Sequence, residues 1–152
     1  MISLSAFGYE QKLKSATKAF ENTFKEKSFI NGPAVQKFEK DFAKFVGAKD
    51  CVAVSSCTSA LQLSLLALNV GPGDEVITVP YTWISTVEAI RQVGASPVFV
   101  DINEHDLCID AYKVGDAITS KTKAIIPVDL YGNVADIDIL KKYNIPIVQE
   151  SA

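Results

Sequence analysis

Four short segments, VAVS (52–55), VITV (76–79), VFVD (98–101) and AIIPV (124–128), run almost continuously apolar instead of alternating apolar with polar residues. Strands of that kind have both faces covered, which is the condition of a mostly parallel sheet sandwiched between helices. The intervening sequence supplies the helices: helical spacing is expected over 58–69, 85–93 and 137–143, and more weakly over 111–118. Turns separate them, notably Gly71-Pro72-Gly73-Asp74 and the helix-closing Gly94. Strands are expected at 51–55, 75–80, 97–101, 124–130 and 145–150, giving an α/β fold with right-handed crossovers. In such sheets ligands collect at the carboxyl ends of the strands, because loops and helix N-termini converge there. Those ends carry Ser55-Ser56-Cys57-Thr58, Pro80-Tyr81-Thr82-Trp83, Asp101, Asp129-Leu130-Tyr131-Gly132 and Glu150-Ser151.

The first 48 residues have a different period. Leu13, Ala16, Phe20 and Phe24 recur at steps of three and four, and Val35, Phe38, Phe42 and Phe45 form a second stripe. Asn31-Gly32-Pro33 separates the two, with Pro33 suited to a first helical position and Gly47 to the stop. The expected organisation is a helical segment over 1–48 and an α/β unit over 49–152.

Charge and cysteine usage exclude several classes. Fifteen Lys and Arg against eighteen Asp and Glu leave a net charge of −3 without a long basic run, so no footprint for nucleic acid is visible. Cys51, Cys57 and Cys108 form neither a CxxC pair nor an even-numbered framework, which favours reduced thiols in the cytoplasm and no metal site. No stretch approaches the roughly 18 apolar residues of a membrane span, and the N-terminus lacks the pattern of a secretory signal.

Three features at strand ends suggest chemistry. Ser55-Ser56-Cys57-Thr58-Ser59 leads a strand end into a helix, where hydroxyls cap backbone N–H groups or, with the helix dipole, hold an anion. Neither a GxGxxG nor a GxxxxGK[ST] pattern is present, so a single phosphate monoester fits better than a dinucleotide or a nucleoside triphosphate. Trp83, the only tryptophan, lies just past a strand end, where its ring belongs either to the core or to a planar ligand. Glu150 tips an apolar strand; solvated there it is unremarked, but buried it needs a cationic partner such as a protonated heteroaromatic nitrogen.

Phosphate, ring and protonated nitrogen are the three handles of pyridoxal 5′-phosphate. The runs FINGPAVQKFEKDFAKFVGAKDCVAVSSCTSALQLSLLAL, GPGDEVITVPYTWISTVEAI, GASPVFVDI, TKAIIPVDLYGNVADID and IPIVQESA resemble the amino-terminal half of the DegT/DnrJ-type sugar aminotransferases, over nearly all of residues 29–152. The resemblance implies a three-layer, fold type I large domain, here incomplete, and a homodimer. It also implies amino transfer from glutamate to a keto nucleotide-sugar. Position by position, it assigns Cys57 and Thr58 to the cofactor phosphate, Trp83 to stacking on the pyridine ring and Glu150 to the pyridine nitrogen. The sequence departs from the family pattern at Cys57 (usually Gly or Ala), at Glu150 (usually Asp) and at Asp129 (commonly His).

The family's Schiff-base lysine is expected beyond Ala152, so no catalytic residue is assigned within the chain. Lys121, Lys123, Lys141 and Lys142 read as a turn and a solvated helix face. A longer natural polypeptide is therefore expected, with the 152-residue chain inactive alone. A dehydratase on the same scaffold, with histidine for lysine, and a non-catalytic remnant serving as dimerisation partner are the alternatives. Asp101 and Tyr131 are candidate substrate contacts, and His105 is expected in a surface turn.

Overall fold

The computed structural model describes residues 9–151. They divide into two compact units, one ending at Ala53 and the other beginning at Val54.

The first unit holds helices α1 (Tyr9–Glu26) and α2 (Pro33–Val46). Pro33 opens α2, where its missing N–H costs nothing, and Gly47 closes it in the left-handed region at φ 71°. Gly32 is required by close approach: a Cβ there would lie 2.7 Å from the Ser28 carbonyl oxygen. The aromatic stripes are present and stay exposed. Phe20 and Phe24 have ring centroids 4.7 Å apart, Phe38 and Phe42 5.6 Å, and Phe45 is 85% exposed.

The second unit contains α3 (Cys57–Ala67), β1 (Glu75–Thr78), α4 (Ile84–Gln92), β2 (Ser96–Phe99), α5 (Val114–Ala117), β3 (Thr122–Ile125) and α6 (Ile137–Leu140). The strands form a parallel sheet in the order β2-β1-β3, with Ile77 beside Val98 on one side and Ile125 on the other. Neighbouring residues of one strand serve opposite faces. Val76, Ala124 and Ile126 pack with Leu61, Leu65, Ala89 and Ile90 of α3 and α4. Ile77, Val79, Ile125 and Val128 pack with Val114 and Leu140 of α5 and α6. A strand whose consecutive residues are both buried must read as an unbroken apolar run, which is why VITV and AIIPV look as they do. The result is the expected three-layer α/β arrangement.

The last segment, 145–150, runs parallel to the continuation of β3 through bridges Ile125–Ile147 and Val128–Glu150. Its backbone bonds alternate along that edge: Val148 N–H to Ile125 O at 2.9 Å and Glu150 N–H to Pro127 O at 3.0 Å. Gly94 closes α4 at φ 86°, and a Cβ there would stand 2.9 Å from Pro72.

One expected strand is absent. Residues 51–55 are irregular, with Val52 76% exposed, although VAVS is as apolar as the other runs. A strand requires a neighbour to take its N–H and C=O groups, and among the described residues none lies alongside; the Ala53 N–H goes instead to Glu39 Oε1 at 2.9 Å. The expected helix over 111–118 shrinks to α5, because Asp110 turns the chain by accepting the Tyr112 N–H and pairing with Lys113.

Candidate functional site

Helix α3 begins at the expected small-residue run. Ser56 caps it, its hydroxyl accepting the Ser59 N–H at 3.1 Å, and the Ser59 hydroxyl lies 3.0 Å from Ser56 Oγ and 3.4 Å from Ser55 Oγ. The capping role and the anion role are thus divided between residues. Ser56 and Ser59 satisfy the cap, while the N–H groups of Cys57 and Thr58 have no acceptor among the described residues. Two N–H groups at the positive end of an eleven-residue helix, with the half-buried Thr58 beside them, form a cradle for an anion.

Cys57 itself is exposed, and its thiol is pushed above the usual range by burial of the sulfur and by the Glu150 carboxylate. That shift has two consequences. It places the N-terminus of α3 within electrostatic reach of Glu150, and it keeps the thiol protonated, which argues against a nucleophilic Cys57.

Glu150 is only 6% exposed, at the carboxyl end of the last strand-like segment. Burial raises its carboxyl above the ordinary value of 4.5, and the opposing influence is a hydrogen bond from Thr86. The Thr86 hydroxyl, fully buried on α4, donates to Glu150 Oε2 at 2.7 Å and lies 3.0 Å from the Thr82 hydroxyl. No cationic side chain among the described residues acts on the carboxylate. A buried carboxylate with neutral donors only is the condition a ligand cation would relieve.

Trp83 is not core. It is the N-cap residue of α4 and 77% exposed, next to Thr82, so the segment that carries the indole is tied through Thr82 and Thr86 to Glu150. The rim also holds Tyr81 and Tyr131, whose hydroxyls lie 3.2 Å apart; that bond raises the Tyr81 phenol. Asp129 takes no part in the open cluster. Its carboxylate accepts from Gln149 Nε2 at 2.6 Å, Ser151 Oγ at 2.5 Å and the Ala135 N–H at 3.0 Å, and so ties down both neighbours of Glu150.

Of the residues singled out in the sequence, the fold thus brings the α3 terminus, the α4 terminus and Glu150 to one end of the sheet. Asp101 is spent on the adjacent Ile102 N–H, and His105 is exposed in a turn capped by Asn103. Thr86 had escaped notice. Its signal was a hydroxyl at a core-facing position of α4, three residues before the buried Ala89 and four after Thr82.

The DegT/DnrJ/EryC1/StrS aminotransferase family model matches residues 10–152, and the chain belongs to that family. It is 49% identical over 138 residues to the spore coat polysaccharide biosynthesis protein SpsC of Bacillus subtilis strain 168, covering 91% of this chain and 34% of that protein. It is 47% identical over 128 residues to the UDP-2-acetamido-2-deoxy-3-oxo-D-glucuronate aminotransferase of Pseudomonas aeruginosa PAO1, covering 82% of this chain and 36% of that protein. Among solved structures, NtdA of Bacillus subtilis with bound cofactor PMP superposes with a TM-score of 0.87 at 32% identity, over 91% of this chain and 33% of that one. The chain spans about a third of the length of these proteins.

Proposed function

We propose that the whole protein is a pyridoxal phosphate-dependent aminotransferase that moves an amino group from glutamate to a keto group of a nucleotide-linked sugar. The observation that carries this reading is the buried Glu150 carboxylate, which has no cationic partner among the described residues and stands within electrostatic reach of the open N–H pair at the start of α3. The described residues fit the cofactor: an anion cradle, an exposed indole and a desolvated carboxylate match a phosphate, a flat ring and a protonated nitrogen. The names of the Pseudomonas relative and of the PMP-bound structure agree with it.

In this reading the Cys57 and Thr58 N–H groups and the Thr58 hydroxyl hold the phosphate, and Trp83 offers its face to the ring. When bound, pyridoxal phosphate supplies an electron sink, which depends on a protonated ring nitrogen. Glu150 would keep that proton on the ring nitrogen: as an ionised, desolvated carboxylate it favours a cation beside it far more than a solvated one would. The Cys57 substitution is harmless to the cradle, since the backbone donates. Lys121, Lys123, Lys141 and Lys142 are exposed and none acts on Glu150, so none of them is given the role of carrying the cofactor.

The reading includes a homodimer, supported by the exposed aromatic stripes of α1 and α2, and a cytoplasmic setting, supported by three free cysteines. No helix among the described residues is long and apolar enough to cross a membrane.

The test is to purify the whole protein, load it with pyridoxal phosphate, and supply L-glutamate with a keto nucleotide-sugar such as the substrate named for the Pseudomonas relative. The expected result is 2-oxoglutarate release matched by an aminated sugar nucleotide. Retention of the cofactor without amino transfer to any keto nucleotide-sugar overturns the assignment.

A further inference from the structure

A threonine in a helix can satisfy its hydroxyl by bonding back to a carbonyl four residues earlier, as the solvent-facing Thr17 does to Leu13 and Thr23 to Ala19 in α1. Thr86 does not. Its hydroxyl reaches across the fold to Glu150 Oε2 at 2.7 Å, with the Thr82 hydroxyl 3.0 Å behind it. A hydroxyl has one proton, and that of Thr86 is committed to Glu150, so Thr82 is the donor in the second contact. The chain therefore has a direction: Thr82 to Thr86 to Glu150. It starts beside Trp83 on the rim and ends on the buried carboxylate. Among the described residues, the hydrogen bond to that carboxylate enters at Oε2 alone, leaving Oε1 unengaged.

We infer that Thr86 is a positioning residue for Glu150, with Thr82 fixing the rotamer and proton of Thr86, so that one carboxylate oxygen is pinned and the other is presented to a ligand cation. The identity of that cation, a pyridine nitrogen, rests on the function proposed above. The arrangement suits a glutamate: its third χ angle turns freely unless a donor holds one oxygen, and a freely turning carboxylate loses entropy when it pairs. Thr86 also holds the ionised form, since its bond favours charge where burial opposes it. Among the described residues, the titratable group that feels the carboxylate is Cys57, at the start of α3; Asp129 meets Glu150 through its backbone N–H and spends its own carboxylate on Gln149 and Ser151.

The experiment uses the whole protein without cofactor, with the Glu150 side-chain carboxyl followed by carbon-13 NMR titration and assigned by its loss in E150Q. T86V keeps the shape and removes the donor; its Glu150 midpoint should move up, while T86S should titrate like the parent. T82V should move the midpoint in the same direction by less, and it provides the same reading should T86V not fold. T86V should also bind pyridoxal phosphate about tenfold more weakly, the equivalent of one hydrogen bond to a charged group. Glu150 midpoints that stay at the parent value in T86V, or in T82V where T86V does not fold, overturn the positioning role. A parent protein that takes up no pyridoxal phosphate defeats the proposed function instead, and the titration still decides the threonine chain.

Discussion

Gln149 donates a 2.6 Å hydrogen bond to Asp129, joining the last strand-like segment to the end of the strand it runs beside. Ser151 and the Ala135 N–H converge on the same carboxylate, so the residues on both sides of Glu150 are held by one acceptor. The arrangement explains an unusual aspartate: three donors need an acceptor-only group, and an imidazole offers at most one free lone pair. D129A should destabilise the protein by about 1–2 kcal/mol, the lower part of the range for losing partners of a charged group, since Gln149 and Ser151 remain hydratable. Amide exchange should quicken at 149–151 in particular. Equal exchange there in parent and variant would count against the clamp.

Under the proposed function, Glu150 would set activity against stability. Its folded carboxyl lies above the ordinary value of 4.5, so the folded state binds the proton more tightly than the unfolded chain. By linkage, its contribution to stability is full below that ordinary value and is lost as the pH rises through the folded midpoint. Without cofactor, E150Q should therefore melt above the parent at neutral pH and should lack the parent's gain on mild acidification. In the loaded enzyme the same substitution should slow turnover by about 3–5 kcal/mol, because an amide cannot hold the ring nitrogen protonated. Parallel melts and turnover measurements check both signs.

Trp83, at 77% exposure, has little folding energy to lose. W83A without cofactor should melt within about 0.5 kcal/mol of the parent, as exposed substitutions usually do. It should bind pyridoxal phosphate more weakly by roughly 1–3 kcal/mol, and W83F should retain most of the affinity. Melts with and without cofactor separate these effects; a cofactor-free W83A as damaged as the loaded one would remove the stacking role.

Cys57 offers a chemical check on the geometry. Its thiol is raised by burial and by Glu150, so iodoacetamide should label it slowly at neutral pH despite its exposure. E150Q removes one of the two causes and should speed labelling. C57A should bind the cofactor within about twofold of the parent, because the cradle uses a backbone N–H. Faster labelling of the parent than of E150Q would place the two groups differently.

The sheet was legible because burial on both faces leaves a direct mark: Val76 and Ile77 serve opposite layers, so both must be apolar. The same mark misled at 51–55, where Val52 is as apolar as Val76 but has no neighbouring strand among the described residues. Pairing partners are a property of the assembled fold and cannot be read from one segment. In the site, Glu150 and the α3 terminus were legible because an acid on an apolar strand and small residues before a helix are locally unusual. Thr86 was not. A threonine in a helix is ordinary, and only the fold sets it 2.7 Å from a residue 64 positions away.

The exposure of Trp83 has an optical consequence. This chain has one indole, and it stands in water at the start of α4, beside the threonine chain to Glu150. Emission from it should be shifted to long wavelength and should be quenched by small solutes. A chromophore held against it should extinguish it by energy transfer and shield it from those solutes. The molecule thus carries its own reporter at the rim of the site, readable without a label.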